Sequence, residues 1–229
     1  MVRLYLFGEG LAEQTFADTV LAPHLATLGI VVHAVRNAQA IHGGQVTRGG
    51  ASRYLRIKND ILRFQRQNAG PDVFFTTMVD FYKLPTDFPG VEDAAKIKNL
   101  PRQRVELIEA AVRADMPDPR FIPHVQLHEF EALLFCDTFD QSSYFRLFDL
   151  TDNQIEALGE IAASQASPEL IDDGLHSAPS KRLEAVYPPY KKKHGTMGPV
   201  LAQLIGLAAI RAKCPHFAAW LARLEALVQ

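Results

Sequence analysis

The apolar positions of this chain change period along its length, and the changes mark its elements. Val2–Phe7 ("VRLYLF"), Ile30–Val35 ("IVVHAV"), Asp72–Asp80 ("DVFFTTMVD") and Arg120–Leu127 ("RFIPHVQL") are short, largely apolar runs and read as buried strands. Between them the period lengthens. Leu11 to about Leu28 has helical spacing closed by Gly29, with Pro23 predicting a kink or two pieces. Ala51–Gln67 sets Tyr54, Ile57, Ile61 and Phe64 on one helical face, and Arg102–Ala114 reads as a third helix. The stretch 37–50, "NAQAIHGGQVTRGG", reads as a mobile loop. This β-α-β-α-β-α-β order predicts an α/β fold: a mostly parallel, Rossmann-like sheet of about four strands with helices on both faces. Beyond Phe135 strand signals fade, and Asp152–Ala163, Ser180–Ala185 and Ala202–Val228 read as helices. The expected organisation is an α/β domain over 1–137 and a helical extension over 138–229, packed on it and not independent.

Composition narrows the classes. Of 229 residues, 48% are hydrophobic and 22% charged, an ordinary balance for a globular chain. No apolar run approaches the length of a membrane span, the start "MVRLYLFGEG" has no signal-peptide cleavage site, and two cysteines make no disulfide framework. A reduced, cytoplasmic protein is expected. The net charge of −2 leaves no global basic field, so any nucleic-acid contact must come from local patches. Two exist: seven Lys/Arg against Asp60 between Arg36 and Arg66, and five against Glu184 between Ser180 and Gly195. A solvated face explains either one alone; together they point toward a phosphate-bearing partner.

The segment "PHVQLHEFEALLF" (Pro123–Phe135) has the pattern of a buried run yet carries Glu129 and Glu131, and buried carboxylates need a partner. In an open parallel sheet, ligands bind beyond the carboxyl ends of the strands. Glu9 follows strand one, Asp80 ends strand three, and Glu129 and Glu131 follow strand four, so three strand ends deliver acids to one edge. Such an oxygen-rich set suits Mg²⁺ or Mn²⁺. Each acid also has a plain structural explanation: Glu9 as a first-turn acid, Asp80 as a turn cap, and the glutamate pair as solvent-facing. Ser180, Lys181 and Arg182 are phosphate-binding candidates, or else a helix start with its cations in solvent. His128 is either a ligand, an orienting or proton-shuttling group, or a hydrogen-bonded structural residue. His33, His42, His194 and His216 lack partner spacing and receive no role. Tyr190–Gly195 reads as a solvated loop within reach of nucleic acid, and Cys214 as core. No Gly-x-x-x-x-Gly-Lys-Ser/Thr loop is present.

Four stretches, "FGEGLAEQTFADTVLAPHL", "TTMVDFYKLPTDFPG", "FIPHVQLHEFEALLF" and "APSKRL", together with the tail "IGLAAIRAKCPHFAAWL", resemble a bacterial domain-of-unknown-function family, number 4276, classed as TOPRIM-like. TOPRIM domains of topoisomerases, primases and overcoming-lysogenization-defect nucleases use a glutamate after strand one and an Asp-x-Asp after strand three, with Mg²⁺. The resemblance implies Glu9 as metal ligand or general acid/base, with Glu13 one turn behind it, and Asp80 as the first aspartate. Tyr82 stands where the second aspartate belongs, which puts a two-metal mechanism in question. "HEFEALL" is similar to a two-glutamate element of those nucleases, with Glu131 as its second acid. The implied function is a metal-dependent nuclease on DNA or RNA, serving mobile-element defence beside a separate ATPase. The alternatives are a non-catalytic scaffold of the same shape and a small-nucleotide phosphohydrolase with Gly43–Gly50 as its lid. A homo-oligomer stays open.

Overall fold

The computed structural model describes residues 1–36, 41–42, 45–46, 53–171, 174 and 176–228. The central sheet begins with β1 (Val2–Gly8), where alternation buries Leu4 and Leu6 on one face and Phe7 on the other. The chain then rises through α1 (Leu11–Phe16), a π-helical turn (Ala17–Leu21) and α2 (Ala22–Ala26). Where a kink or two pieces was expected, the chain carries this π turn between α1 and α2. It lies just ahead of Pro23, which has no N–H to continue the ladder. β2 (Ile30–Arg36) pairs in parallel with β1.

The glycine-rich stretch read as a loop lies mostly outside the described residues, as does the proposed lid over 43–50. Within it, β3 (Ile41–His42) and β4 (Gln45–Val46) pair antiparallel. α3 (Arg53–Gln67) buries Tyr54, Ile57 and Ile61. β5 (Val73–Asp80) is central and pairs in parallel with β1. After a short α4 (Val91–Ala94) comes α5 (Pro101–Asp115).

The fourth expected strand is two: β6 (Phe121–Ile122) and β7 (Val125–Gln126), both parallel to β5. Pro123 cannot donate to a ladder, so the pairing breaks there. Threonine hydroxyls fill the gap. Thr77 Oγ1 donates to the His124 carbonyl at 2.9 Å and accepts the His124 N–H at 2.9 Å, and Thr76 Oγ1 donates to Ile122 O at 2.6 Å. The five parallel strands thus run β2-β1-β5-β6, with β7 also on β5.

The remaining chain is helical: α6 (Asp152–Ala163), α7 (Pro179–Val186), α8 (Tyr190–Ile205), α9 (Leu207–Lys213) and α10 (Pro215–Glu225). Tyr190–Gly195, read as a loop, is the first turn and a half of α8. The single helix expected over Ala202–Val228 is broken twice. Gly206 takes φ 84°, a conformation open to glycine, and Pro215 starts the next helix. α3 and α5 cover one face of the sheet. α1, α2 and α10 cover the other, where Leu4 and Leu6 share a core with Phe217, Leu221 and Leu224. Among the described residues no single helix is long and apolar enough to cross a membrane, and the α8–α9 pair that reaches the length together is bent by 87°.

Candidate metal and phosphate cleft

Parallel strands share one carboxyl edge, and a cleft of about 520 Å³ opens there. Glu9, Glu13, Asp80, Glu129 and Glu131 line it, with Tyr82, Ser180 and Glu184, and the basic side chains are Lys83, Lys181, Lys191 and His194. The four acids expected from the sequence are therefore together, joined by Glu13.

Local backbone constraints aim each one. A Cβ on Gly8 would lie 2.9 Å from Glu13 Cβ, so only glycine lets α1 pack so closely over the end of β1. Glu13 Oε2 then accepts the Gly10 N–H at 2.7 Å, closing the first turn of α1. Asp80 Oδ1 accepts the Phe130 N–H at 3.0 Å. His128 takes the left-handed conformation (φ 62°), and its carbonyl accepts the Tyr82 N–H at 2.7 Å. Glu129 and Glu131 follow directly and are buried near Asp80. Glu129 is held by the start of α7, accepting the Ser180 N–H at 2.8 Å and its hydroxyl at 3.0 Å. Glu131 Oε1 accepts the Tyr190 hydroxyl at 3.1 Å.

The three phosphate candidates separate. Ser180 faces the cleft but engages Glu129. Lys181 faces it while bonded to both Glu184 oxygens at 2.9 Å. Arg182 donates to the Ser177 carbonyl at 2.8 Å and is not part of the lining. His194, given no role from the sequence, is on the rim because α8 continues where a loop was expected. The Tyr82 hydroxyl is buried and, among the described residues, has no hydrogen-bond partner.

Crowding of acids shows in their proton affinities. Burial, then the charges of Glu13, Glu9, Glu131 and Glu129, holds the Asp80 carboxyl well above its usual range. Burial and Glu129 push Glu131 up to about 8, against the lowering effect of Tyr190. Burial also raises Glu13 and Glu129, and it raises the Tyr190 phenol together with the Glu131 charge. A cleft of this kind holds either protons or a cation.

A second constellation, absent from the sequence reading, is more compact. Glu109 (α5), His124 (between β6 and β7) and His216 (α10) each bring one ligand atom within 4.8 Å of the others and could hold a metal ion. Among the described residues the cleft acids do not draw together that closely. Burial alone would raise Glu109, but hydrogen bonds from His124 and His216 outweigh it and bring the carboxyl down to about 2. No spacing could have revealed this trio, since Glu109 and His216 are 107 residues apart.

A family model described as Domain of unknown function (DUF4276) matches residues 8–225. No curated protein and no solved structure matches the chain.

Proposed function

The chain belongs to the family described as a domain of unknown function (DUF4276), and from that premise we propose that it is a TOPRIM-like, divalent-metal-dependent nuclease hydrolysing phosphodiester bonds of DNA or RNA. The observation that carries the reading is one cleft in which acids from three parallel strand ends face a rim of lysines. The donors are all hard oxygens. That donor set fits Mg²⁺ or Mn²⁺, ions bound through one or two carboxylates while keeping several waters. Asp80, Glu9, Glu129 and Glu131 would hold it. When bound, such an ion polarises a phosphoryl oxygen and makes a water more acidic.

The chain's own groups supply the rest. Glu131, with its carboxyl at about 8, holds or releases a proton near neutral pH, and Tyr190 fixes its Oε1. Ser180 fixes Glu129. Lys83, Lys191 and His194 on the rim meet the phosphates flanking the scissile bond, and Lys181 adds charge beside Glu184. A separate ATPase partner and a place in mobile-element defence rest on the TOPRIM resemblance alone.

The test is cleavage of end-labelled single- and double-stranded DNA and RNA in Mn²⁺, with Asp80→Asn and Lys191→Ala. Asp80→Asn should fall to background and Lys191→Ala should lose activity in a salt-dependent way. Cleavage that survives Asp80→Asn contradicts the reading. Tyr82, in place of a second aspartate, favours a second one: a non-catalytic module that binds through the same cleft. Oligonucleotide binding without cleavage, unchanged by Asp80→Asn, would select it.

A further inference from the structure

We propose that Glu109, His124 and His216 form a zinc site, separate from the acidic cleft, with the Val125 carbonyl as its fourth donor. Glu109 Oε1 lies 3.4 Å from His124 Nδ1 and 3.1 Å from His216 Nε2. Zinc bonds of about 2.0–2.1 Å in tetrahedral array set ligand atoms roughly 3.3–3.4 Å apart, so these separations are those of a ligand set. The Val125 carbonyl is 3.1 Å from His216 Nε2.

The surroundings of His124 bear on which of its nitrogens would be the ligand. Gln126 Nε2 faces the Leu127 carbonyl at 3.5 Å, and a carbonyl only accepts. The Gln126 amide oxygen is thereby turned to His124 Nε2, also at 3.5 Å, as an acceptor for a proton on that nitrogen. Nδ1, the nitrogen a metal would take, then faces the Glu109 carboxylate at 3.4 Å. Either a proton or a metal ion between the two atoms satisfies both. An imidazole whose second nitrogen is bonded to a carbonyl-type oxygen is the usual outer support of a metal ligand.

Neither ring is free to turn. His124 stacks on Trp220 (4.3 Å between centroids, 7° between planes), and the His216 ring stacks on His124 (5.0 Å, 24°). The mixed nitrogen and oxygen donors suit zinc, whereas the all-oxygen cleft does not. The role is structural. Val125 and Gln126 form β7, which pairs with Val79 and Asp80, so the ion ties α5 and α10 to the strand beside Asp80.

The experiment is metal analysis and calorimetry on chelated protein refolded with Zn²⁺, with Co²⁺ as a spectroscopic probe. The wild type should bind about one equivalent of Zn²⁺ and give the intense visible absorption of tetrahedral Co²⁺. Asp80→Asn should keep both, because the cleft is a different site. Glu109→Gln should lose both, and Gln126→Leu should weaken Zn²⁺ about tenfold or more. Wild-type protein that takes up no Zn²⁺ or Co²⁺, or loses all uptake in Asp80→Asn, overturns the proposal. The trio would then be a hydrogen-bonded ion pair.

Discussion

Glu131 moves from 4.5 to about 8 in the folded chain, chiefly through burial. A raised carboxyl pKa means the folded state holds the proton more tightly than the unfolded state. The associated stability is therefore full below about pH 4.5 and is lost as pH rises through about 8. Asp80 and Glu13 act with the same sign. Metal-free protein should lose on the order of a few kcal/mol between about pH 5 and pH 9, read by urea unfolding in chelator. Glu131→Gln should flatten that loss and Mn²⁺ should reverse it. Stability that is flat or rising over this range contradicts the assignment. Glu109 acts at the acid end: its carboxyl, lowered to about 2, contributes stability above about pH 4.5 that is lost as pH falls through 2. Tyr190→Phe removes the hydroxyl from Glu131 and should cost about 1 kcal/mol in the same assay. As an outer support of a ligand, it should also weaken Mn²⁺ about tenfold by calorimetry.

At the scale of elements, the junction between β6 and β7 is the sharpest test. Thr77 Oγ1 replaces two ladder bonds that Pro123 interrupts. Thr77→Val keeps the shape but leaves the buried His124 N–H and carbonyl without that partner, costing about 2–3 kcal/mol in urea midpoint measurements. A loss under about 0.5 kcal/mol would mean the hydroxyl is dispensable. The same junction explains what could be read from the chain. Strand positions and the acids at their ends were legible, because parallel strands send successive carboxyl ends to one edge and Glu9, Asp80, Glu129 and Glu131 each sit at such an end. The split at Pro123 was not, since the apolar run continues through it. Most of α8 was hidden by Gly195, Gly198 and Pro199, poor local helix signals, and its helicity comes from packing Tyr190, Met197, Leu201 and Ala202 into the core. His216 was invisible as a functional residue because only the packing of α10 brings it to Glu109.

Across the whole molecule the sheet and the C-terminal helices bury one another. Leu4 and Leu6 of β1 share a core with Phe217, Leu221 and Leu224 of α10, and Trp220 donates its indole N–H to Thr76 at 2.9 Å. A fragment of residues 1–137 strips that face and exposes a large apolar surface, so it should show no cooperative thermal unfolding. A soluble, cooperatively folding fragment would show that the helices are an accessory. The central claim is that the strand-end carboxylates share one divalent cation, and its most direct test is Mn²⁺ calorimetry on the full chain, Asp80→Ala and Glu131→Ala. The account predicts that the wild type binds and that both variants lose at least about tenfold in affinity while remaining folded by circular dichroism. Wild-type protein that binds no Mn²⁺, even with a short oligonucleotide present, or variants that bind as the wild type does, would contradict it.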